Sequence, residues 1–126
     1  MKAKSVDVKY LGIPNICFSL TDKNDKREKK LSKQRMVRGF DDSETWSLFN
    51  TISNFTLPRL KEFKELKCGY PACFDKPEEW DIILDKIIKA LELIKKDDTD
   101  ILGDKEWKQV DQGLKLFAKW FRSLWW

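Results

Sequence analysis

The sequence predicts a mainly α fold with a minor β part: a bundle of three to four helices, with a small N-terminal β-hairpin and a basic loop. Between residues 41 and 126, apolar residues recur every three or four positions in three stretches separated by turn residues. At 126 residues, one domain can bury about two thirds of the surface that its unfolded chain exposes. We therefore expect a single domain over residues 1–126, with a hairpin at 1–22, a basic loop at 23–38 and a helical core at 41–126.

The N-terminal segment alternates apolar and polar side chains, as a half-buried strand does. The alternation stops at the turn residues Gly12, Pro14 and Asn15 and then resumes. The apolar positions are Val6, Val8 and Tyr10 before the turn, and Ile16, Phe18 and Leu20 after it. This pattern predicts a small hairpin that lies against the helices.

Positive charge is concentrated at the N-terminal end of the chain. Residues 1–40 contain eleven Lys or Arg and four acids, a net charge of +7, whereas residues 41–126 contain fourteen and seventeen, a net charge of −3. Residues 23–38 hold eight cations, two acids and no sustained apolar period, which predicts a solvated loop or arm. Such a segment is either a surface connector or an anion-binding element. Arg35 and Arg38 lie closest to the folded part and are our first candidates for anion contacts.

The first helix of the core begins at Asp41 or Asp42. Asp41 and Glu44 have the spacing of a capping box, and an apolar stripe continues as far as Leu66. Pro58 lies within this helix and predicts a kink near residues 54–58 or a break into two helices. A bent axis opens a concavity in which a small ligand could fit.

Two further helices follow. Asp75, Pro77 and Glu78 mark the start of one, and Asp104 marks the start of the other after a connector at residues 97–103. Gly113 is a weak point of the last helix or a site of close packing. The apolar stripes are Trp80, Ile83, Leu84, Ile87, Leu91 and Ile94 on one helix, and Trp107, Val110, Leu114, Phe117, Phe121 and Leu124 on the other.

The aromatic residues divide into two groups. Those on apolar stripes are predicted to be core: Trp46, Trp80, Trp107 and Phe117. Those in a turn or off the stripe are candidates for a stacking surface or a subunit contact, with simple packing as the alternative: Tyr70, Trp120, Trp125 and Trp126. Arg59, Lys64 and Arg122 could place cations beside such rings, which is how a nucleobase and its phosphate are held.

The composition excludes several classes of chemistry. The chain has no His, so Ser-His, Cys-His and His-metal sites are excluded. Three Cys indicate reduced thiols, and no phosphate loop, dinucleotide fingerprint or zinc spacing occurs. We therefore expect no catalytic residues, no metal and no cofactor. With no apolar run long enough for a membrane span and no signal-peptide core, we expect a cytosolic protein without a membrane partner.

Five segments resemble a widespread family of small tailed-bacteriophage proteins of unassigned function. They are RGFDDSETW at residues 38–46, LPRLKEFK at 57–64, GYP at 69–71, EEWDIILDK at 78–86 and GLKLFAKWFRSLWW at 113–126. The match spans residues 35–126. The resemblance implies a viral accessory protein that works in the cytoplasm of the bacterial host, and it supplies no catalytic residues.

Three functions remain open. The first is a non-catalytic counter-defence protein that sequesters an anionic nucleotide. The second is an inhibitor of a host enzyme or defence protein that binds through the Trp-rich C-terminus, and the third is a nucleic-acid binder that uses residues 23–38. The predicted ligand contacts are Arg35, Arg38, Arg59, Lys64, Tyr70, Arg122 and Trp126. The predicted interface residues of a homo-oligomer are Trp120 and Trp125.

Overall fold

The computed structural model describes residues 17–95 and 102–125, and this part of the chain is mainly helical, as the sequence predicts. Its α-helices are α1 (Glu28–Arg38), α2 (Leu48–Leu66), α3 (Pro77–Lys95) and α4 (Asp104–Trp120), and its 3-10 turns are Asp42–Thr45 and Phe121–Ser123.

The chain divides into two compact units, Met1–Phe55 and Thr56–Trp126, so α2 begins in the first unit and ends in the second. The prediction of one domain over 1–126 stays a prediction. Most of the predicted β-hairpin, residues 1–16, lies outside the described residues. Residues 17–22, the part of it that is described, contain no strand.

The predicted basic loop is wrong for residues 28–38, which form α1. Lys, Arg, Gln and Glu are good helix formers, and a helix that buries only Leu31 does not need an apolar stripe. Gly39 ends the helix with φ 86°, a left-handed conformation that favours glycine, and its N–H donates to the Arg35 carbonyl at 2.8 Å.

The predicted capping box at Asp41 and Glu44 is confirmed. Asp41 accepts the Ser43 N–H at 2.8 Å, and Glu44 accepts the Asp41 N–H at 2.7 Å. The box opens a short 3-10 turn, after which α2 runs uninterrupted through Pro58. The predicted break into two helices is therefore wrong, and the predicted kink stays a prediction.

The apolar stripe predicted before Pro58 is not buried as expected. Phe49, Ile52 and Phe55 are each about half exposed. Trp46 is also half exposed, and the Arg27 guanidinium lies over its ring at 4.6 Å, so the prediction of a core Trp46 is wrong. A cation over its face lets this ring remain at the surface.

In the second unit, the end of α2 packs antiparallel to α3. Successive lysines of α2 contact acids that run backwards along α3: Lys61 with Glu92 at 3.2 Å, Lys64 with Asp85 at 2.8 Å, and Lys67 with Asp81 at 2.6 Å. The predicted stripe of α3 is confirmed, because five of its members are buried and Ile83 packs against them. The buried hydrophobic residues of the two helices are Leu57, Leu60, Trp80, Leu84, Ile87, Ala90, Leu91, Leu93 and Ile94.

The helix boundaries at α3 and α4 are close to those predicted. Pro77 opens α3, but the glutamate that accepts the N–H of Asp75, at 2.8 Å, is Glu79 rather than the expected Glu78. The last helix begins at Asp104 as predicted, and Glu106 accepts the Gly103 N–H at 3.1 Å.

The buried face of α4 is rotated from the predicted stripe. Val110 and Gly113 are buried, whereas Trp107, Leu114 and Phe121 are 40%, 41% and 61% exposed, so the prediction that these three are buried is wrong. A Cβ at Gly113 would lie 2.2 Å from the Ala90 Cβ and 2.8 Å from the Lys86 carbonyl oxygen. The backbone of α4 thus approaches α3 at the glycine, which confirms the interpretation of close packing and sets which face is buried.

Candidate ligand-binding site

An aromatic groove of about 540 Å³ opens on the surface of the second unit. This volume lies within the range of sites that hold small molecules. Three separate parts of the chain form its walls and floor. The lining residues are Cys68, Gly69, Tyr70, Pro71, Ala72, Trp80, Ser123 and Trp125.

One wall is the loop between α2 and α3. The Phe74 N–H donates to the Pro71 carbonyl at 3.0 Å and closes a turn there. The Tyr70 hydroxyl donates to the Asp75 carbonyl at 3.4 Å, which ties the ring to the start of α3. Tyr70 nevertheless remains 42% exposed, so its ring is available to a ligand.

The opposite wall comes from the end of the chain. The 3-10 turn Phe121–Ser123 follows α4 directly, and the Trp125 N–H donates to the Ser123 carbonyl at 2.9 Å. Trp125 is 75% exposed. The groove therefore brings together two of the sequence-predicted aromatic candidates, Tyr70 and Trp125, from positions 55 residues apart in the chain.

The floor is a cluster of rings beneath the groove. Trp80 is 1% exposed and stacks on Phe74, with ring centroids 6.1 Å apart. Trp120 contacts both rings, at 5.1 Å from Phe74 and 5.7 Å from Trp80. Trp120 was expected at a subunit interface, but in the structure it supports the floor, which favours the packing alternative. Its indole N–H is buried and has no hydrogen-bond partner among the described residues.

Arg35 is enclosed in an ionic network of the first unit, away from solvent. Its guanidinium donates to both Glu28 and Asp41, and its side chain is only 13% exposed. Ser43 donates its hydroxyl to Asp41 at 2.6 Å and accepts the Leu20 N–H at 2.8 Å. The network thereby holds the segment before α1 in place, and the predicted ligand role of Arg35 gains no support from its surroundings.

The two buried acids of this network have opposite pKa shifts. Burial by itself raises the pKa of Asp41, but hydrogen bonds from Ser43, Ser19 and Arg35 outweigh it, so this pKa lies below its ordinary value. Burial, supported by the nearby Asp41 charge, raises the pKa of Glu44 above its ordinary value. Asp41 is therefore held as a carboxylate, whereas the site of Glu44 favours its neutral form.

Arg38 is also engaged within the first unit. Its Nε donates to the Phe40 carbonyl at 3.0 Å, and one Nη donates to Asp42 at 2.7 Å. The guanidinium lies 4.2 Å from the centre of the Phe40 ring. The hydrogen bond from Arg38 lowers the pKa of Asp42. With a side chain 40% exposed, Arg38 is a surface group that already has an acidic partner.

The remaining predicted cations are Lys64, Arg59 and Arg122. Lys64 pairs with Asp85, and this hydrogen bond raises the pKa of Lys64. Arg59 is exposed on α2 and is not among the described residues that line the groove. Arg122 is exposed and immediately precedes Ser123, a groove residue, so it is the predicted cation that belongs to this region. Trp126 lies outside the described residues, and the predicted homo-oligomer stays a prediction.

Four lysines of α4 were missed by the sequence analysis, and Arg122, which was identified, continues their row in the 3-10 turn after the helix. With Gln112, they follow one another at spacings of 3, 4, 3, 4 and 3 residues, and all are exposed. The acids of residues 41–126 outnumber the cations and conceal this pattern in the net charge, although helical spacing would have found it. We call these residues the α4 cation row: Lys105, Lys108, Lys115, Lys119 and Arg122.

No group of His, Cys, Asp or Glu within the described residues could hold a metal ion. The helices of residues 17–95 and 102–125 are all too short or too polar to cross a membrane.

Comparison of the chain with protein-family models, with curated proteins and with solved structures gives no match.

Proposed function

We propose that this protein is a non-catalytic binding protein that holds the base of an anionic nucleotide in the aromatic groove. The observation that carries the proposal is the convergence of two exposed rings, Tyr70 and Trp125, on one groove of about 540 Å³. Every nucleobase has a π face, so rings that line a groove bind bases by stacking. The buried rings below Tyr70 and Trp125 hold the floor of the groove rigid, which lowers the entropic cost of binding.

The phosphate would lie towards Arg122. This residue is separated from Trp125 by only Ser123 and Leu124. The described residues that line the groove carry no charge of their own, so the charge of a phosphate must be met at the rim. Among the arginines predicted to bind the ligand, Arg35 and Arg38 are engaged by acids of the first unit.

Sequestration without turnover is the mode of action that we propose. The chain has no His, and among the described residues the lining of the groove offers no carboxylate or lysine for acid-base chemistry. The resemblance to small phage proteins points to a ligand from the bacterial host. The proposed ligand is therefore a nucleotide of the bacterial cytoplasm, such as one that signals host defence. Binding would lower the free concentration of the nucleotide in proportion to the amount of this protein in the cell.

A protein partner is the second candidate. Trp125 and Phe121 are 75% and 61% exposed, and exposed aromatic rings also suit a protein interface. On this alternative, the groove accepts an apolar side chain of a host protein.

The test is retention of a nucleotide by the purified protein. The protein is incubated with pooled bacterial nucleotides, separated from unbound material and denatured, and the released compounds are identified by mass spectrometry. We expect an unchanged nucleotide. Tyr70→Ala should weaken its binding by about 1–3 kcal/mol, roughly five- to 150-fold, because one stacking ring is lost.

Tyr70→Phe, which keeps the ring, should restore binding. Trp46→Ala removes a ring of similar exposure from the first unit and should leave retention unchanged. A chemically altered nucleotide would indicate an enzyme. If no nucleotide is retained and a host protein is captured only by chains with Trp125 intact, the second candidate replaces the first.

A further inference from the structure

We infer that the α4 cation row is a track for the phosphates of a single-stranded oligonucleotide, and that the nucleotide in the aromatic groove is one end of that strand. The inference rests on the proposed function, since the groove supplies the terminal base site. The sequence favoured residues 23–38 as the nucleic-acid surface. The inference places that surface in the second unit instead.

The charges of the row have no acidic partner among the described residues, and the Lys119 ammonium lies 5.4 Å from the centre of the Trp120 ring. Within the described residues, no ion pair involves any of its five cations, whereas the lysines of α2 pair with acids of α3 at 2.6–3.2 Å. Residues 104–123 contain three acids, namely Asp104, Glu106 and Asp111. Asp111 lies beside the row, in a shallow hollow that Lys105, Lys108 and Lys115 also line. The cations still exceed the acids by two, and the row therefore attracts a polyanion.

The length of the row suits several phosphates. From Lys105 to Trp120 the α-helix rises 1.5 Å per residue, and the 3-10 turn then adds about 2 Å per residue, so the row is about 26 Å long. One strand of a nucleic acid advances about 3.4 Å per nucleotide in a duplex and further when it is extended. The row therefore spans at most about eight nucleotides.

Exposed apolar side chains on another face of the same helix, about a third of a turn round its axis from the row, favour a single strand. Trp107, Leu114 and Phe121 repeat every seven residues, which places them along one side of the helix, and they are 40%, 41% and 61% exposed. A single strand presents unpaired bases that can reach round the helix to stack on such side chains while its phosphates contact the row. The bases of a duplex are paired and cannot do so.

The row also leads to the groove. Arg122 is its last member, and Ser123 and Trp125, which come directly after it in the chain, line the groove. A strand that follows the row from Lys105 to Arg122 therefore ends at Tyr70 and Trp125, where the proposed base site is.

The test is fluorescence anisotropy with labelled oligothymidylates of 2, 4, 8 and 12 nucleotides. We expect affinity to rise with length up to about eight nucleotides and then to level off. The logarithm of the binding constant should fall with the logarithm of salt concentration with a slope of about −3.5, because five phosphates are neutralised on a single strand.

The key variant replaces three cations of the row: Lys105→Gln, Lys108→Gln and Lys115→Gln. Two cations then remain, so the slope should fall to about −1.4, and the gain in affinity with length should disappear. All three positions are exposed, so folding should be retained. The matched control is Lys29→Gln, Lys30→Gln and Lys33→Gln, which removes the same charge from exposed positions of α1 and should leave the slope near −3.5.

Four outcomes would overturn the inference. An equal loss in the α1 control would show that only net charge matters. Equal or tighter binding of duplex DNA, heparin or an acidic protein would exclude a track for single strands. A retained mononucleotide without any gain from length would refute the track and leave the proposed function intact. Oligonucleotide binding that survives Tyr70→Ala unchanged would refute the groove as the end of the strand, and nucleotide retention alone would then decide the proposed function.

Discussion

The two units of this protein use charged residues in opposite ways. In the first unit, Arg35 and Asp41 are buried together and hold the chain segments around α1. In the second unit, the interior is apolar, and the cations of α4 lie on the surface. An arginine inside a network contributes to stability, whereas a surface lysine contributes little to stability and is available for binding. The number of basic residues in a segment therefore does not indicate how many of them are held by acidic partners within the fold.

Loss of Arg35 should have the largest effect on stability. Arg35→Ala leaves Asp41 as a buried carboxylate without its cation, so we expect the free energy of unfolding to fall by about 3–5 kcal/mol. Arg38→Ala, which removes an exposed partner of Asp42, should cost at most about 1 kcal/mol. Urea unfolding of both variants, followed by far-ultraviolet circular dichroism, measures the difference. Equal effects would show that the two arginines have the same role.

Close packing in the second unit should give the next largest effect. A methyl group at Gly113 would lie 2.2 Å from the Ala90 Cβ, so Gly113→Ala should destabilise the protein by about 1–3 kcal/mol even though alanine favours helices. Gln112→Ala, at an exposed position of the same helix, is the control and should be nearly neutral. If Gly113→Ala increases the thermal midpoint, the proposed contact between α3 and α4 is too loose to set the face of α4.

The smallest effect is a pH dependence that belongs to the first unit. The pKa of Glu44 is raised, so its contribution to stability is complete below its ordinary value of 4.5 and is lost as the pH rises through the raised value. The pKa of Asp41 is lowered, so its contribution is present above 3.8 and is lost as the pH falls through the lowered value. Stability should therefore be highest in mild acid.

Glu44→Gln should remove the decline in stability between pH 4.5 and 7, as measured by urea midpoints across that range. The control is Glu62→Gln, an exposed carboxylate on α2 in the second unit, which should leave the pH profile unchanged. If the unchanged protein, Glu44→Gln and Glu62→Gln all give the same pH profile, Glu44 is not the titrating group.

Strong local signals predicted the helices of the second unit well. The stripe from Trp80 to Ile94 and the start of α4 at Asp104 depend on periodicity and capping, which are properties of neighbouring residues. The face of α4 could not be predicted in the same way, because it depends on how closely Gly113 approaches Ala90 on another helix. Similarly, nothing local in the sequence indicates that Arg27 covers Trp46.

The candidate site was predicted only in part. Tyr70, Trp125 and Arg122 were identified as aromatic or cationic residues outside the apolar stripes, and the structure brings Tyr70 and Trp125 to one groove. Arg35 was also identified from its charge, but its partners could not be. Glu28 lies seven residues before it on the same face of α1, and Asp41, six residues after it, meets it because Gly39 turns the chain after α1. Tertiary partners of this kind decide whether a cation is free to bind.

The exposed thiol of Cys68 has a practical consequence, because it lines the groove beside Tyr70. A molecule seated between the two aromatic walls would shield this sulfur from alkylating reagents. The rate of maleimide attachment at Cys68 would then report occupancy directly, with no label on the molecule itself. Cys73, which is equally exposed but is not among the described lining residues, provides an internal reference in the same sample.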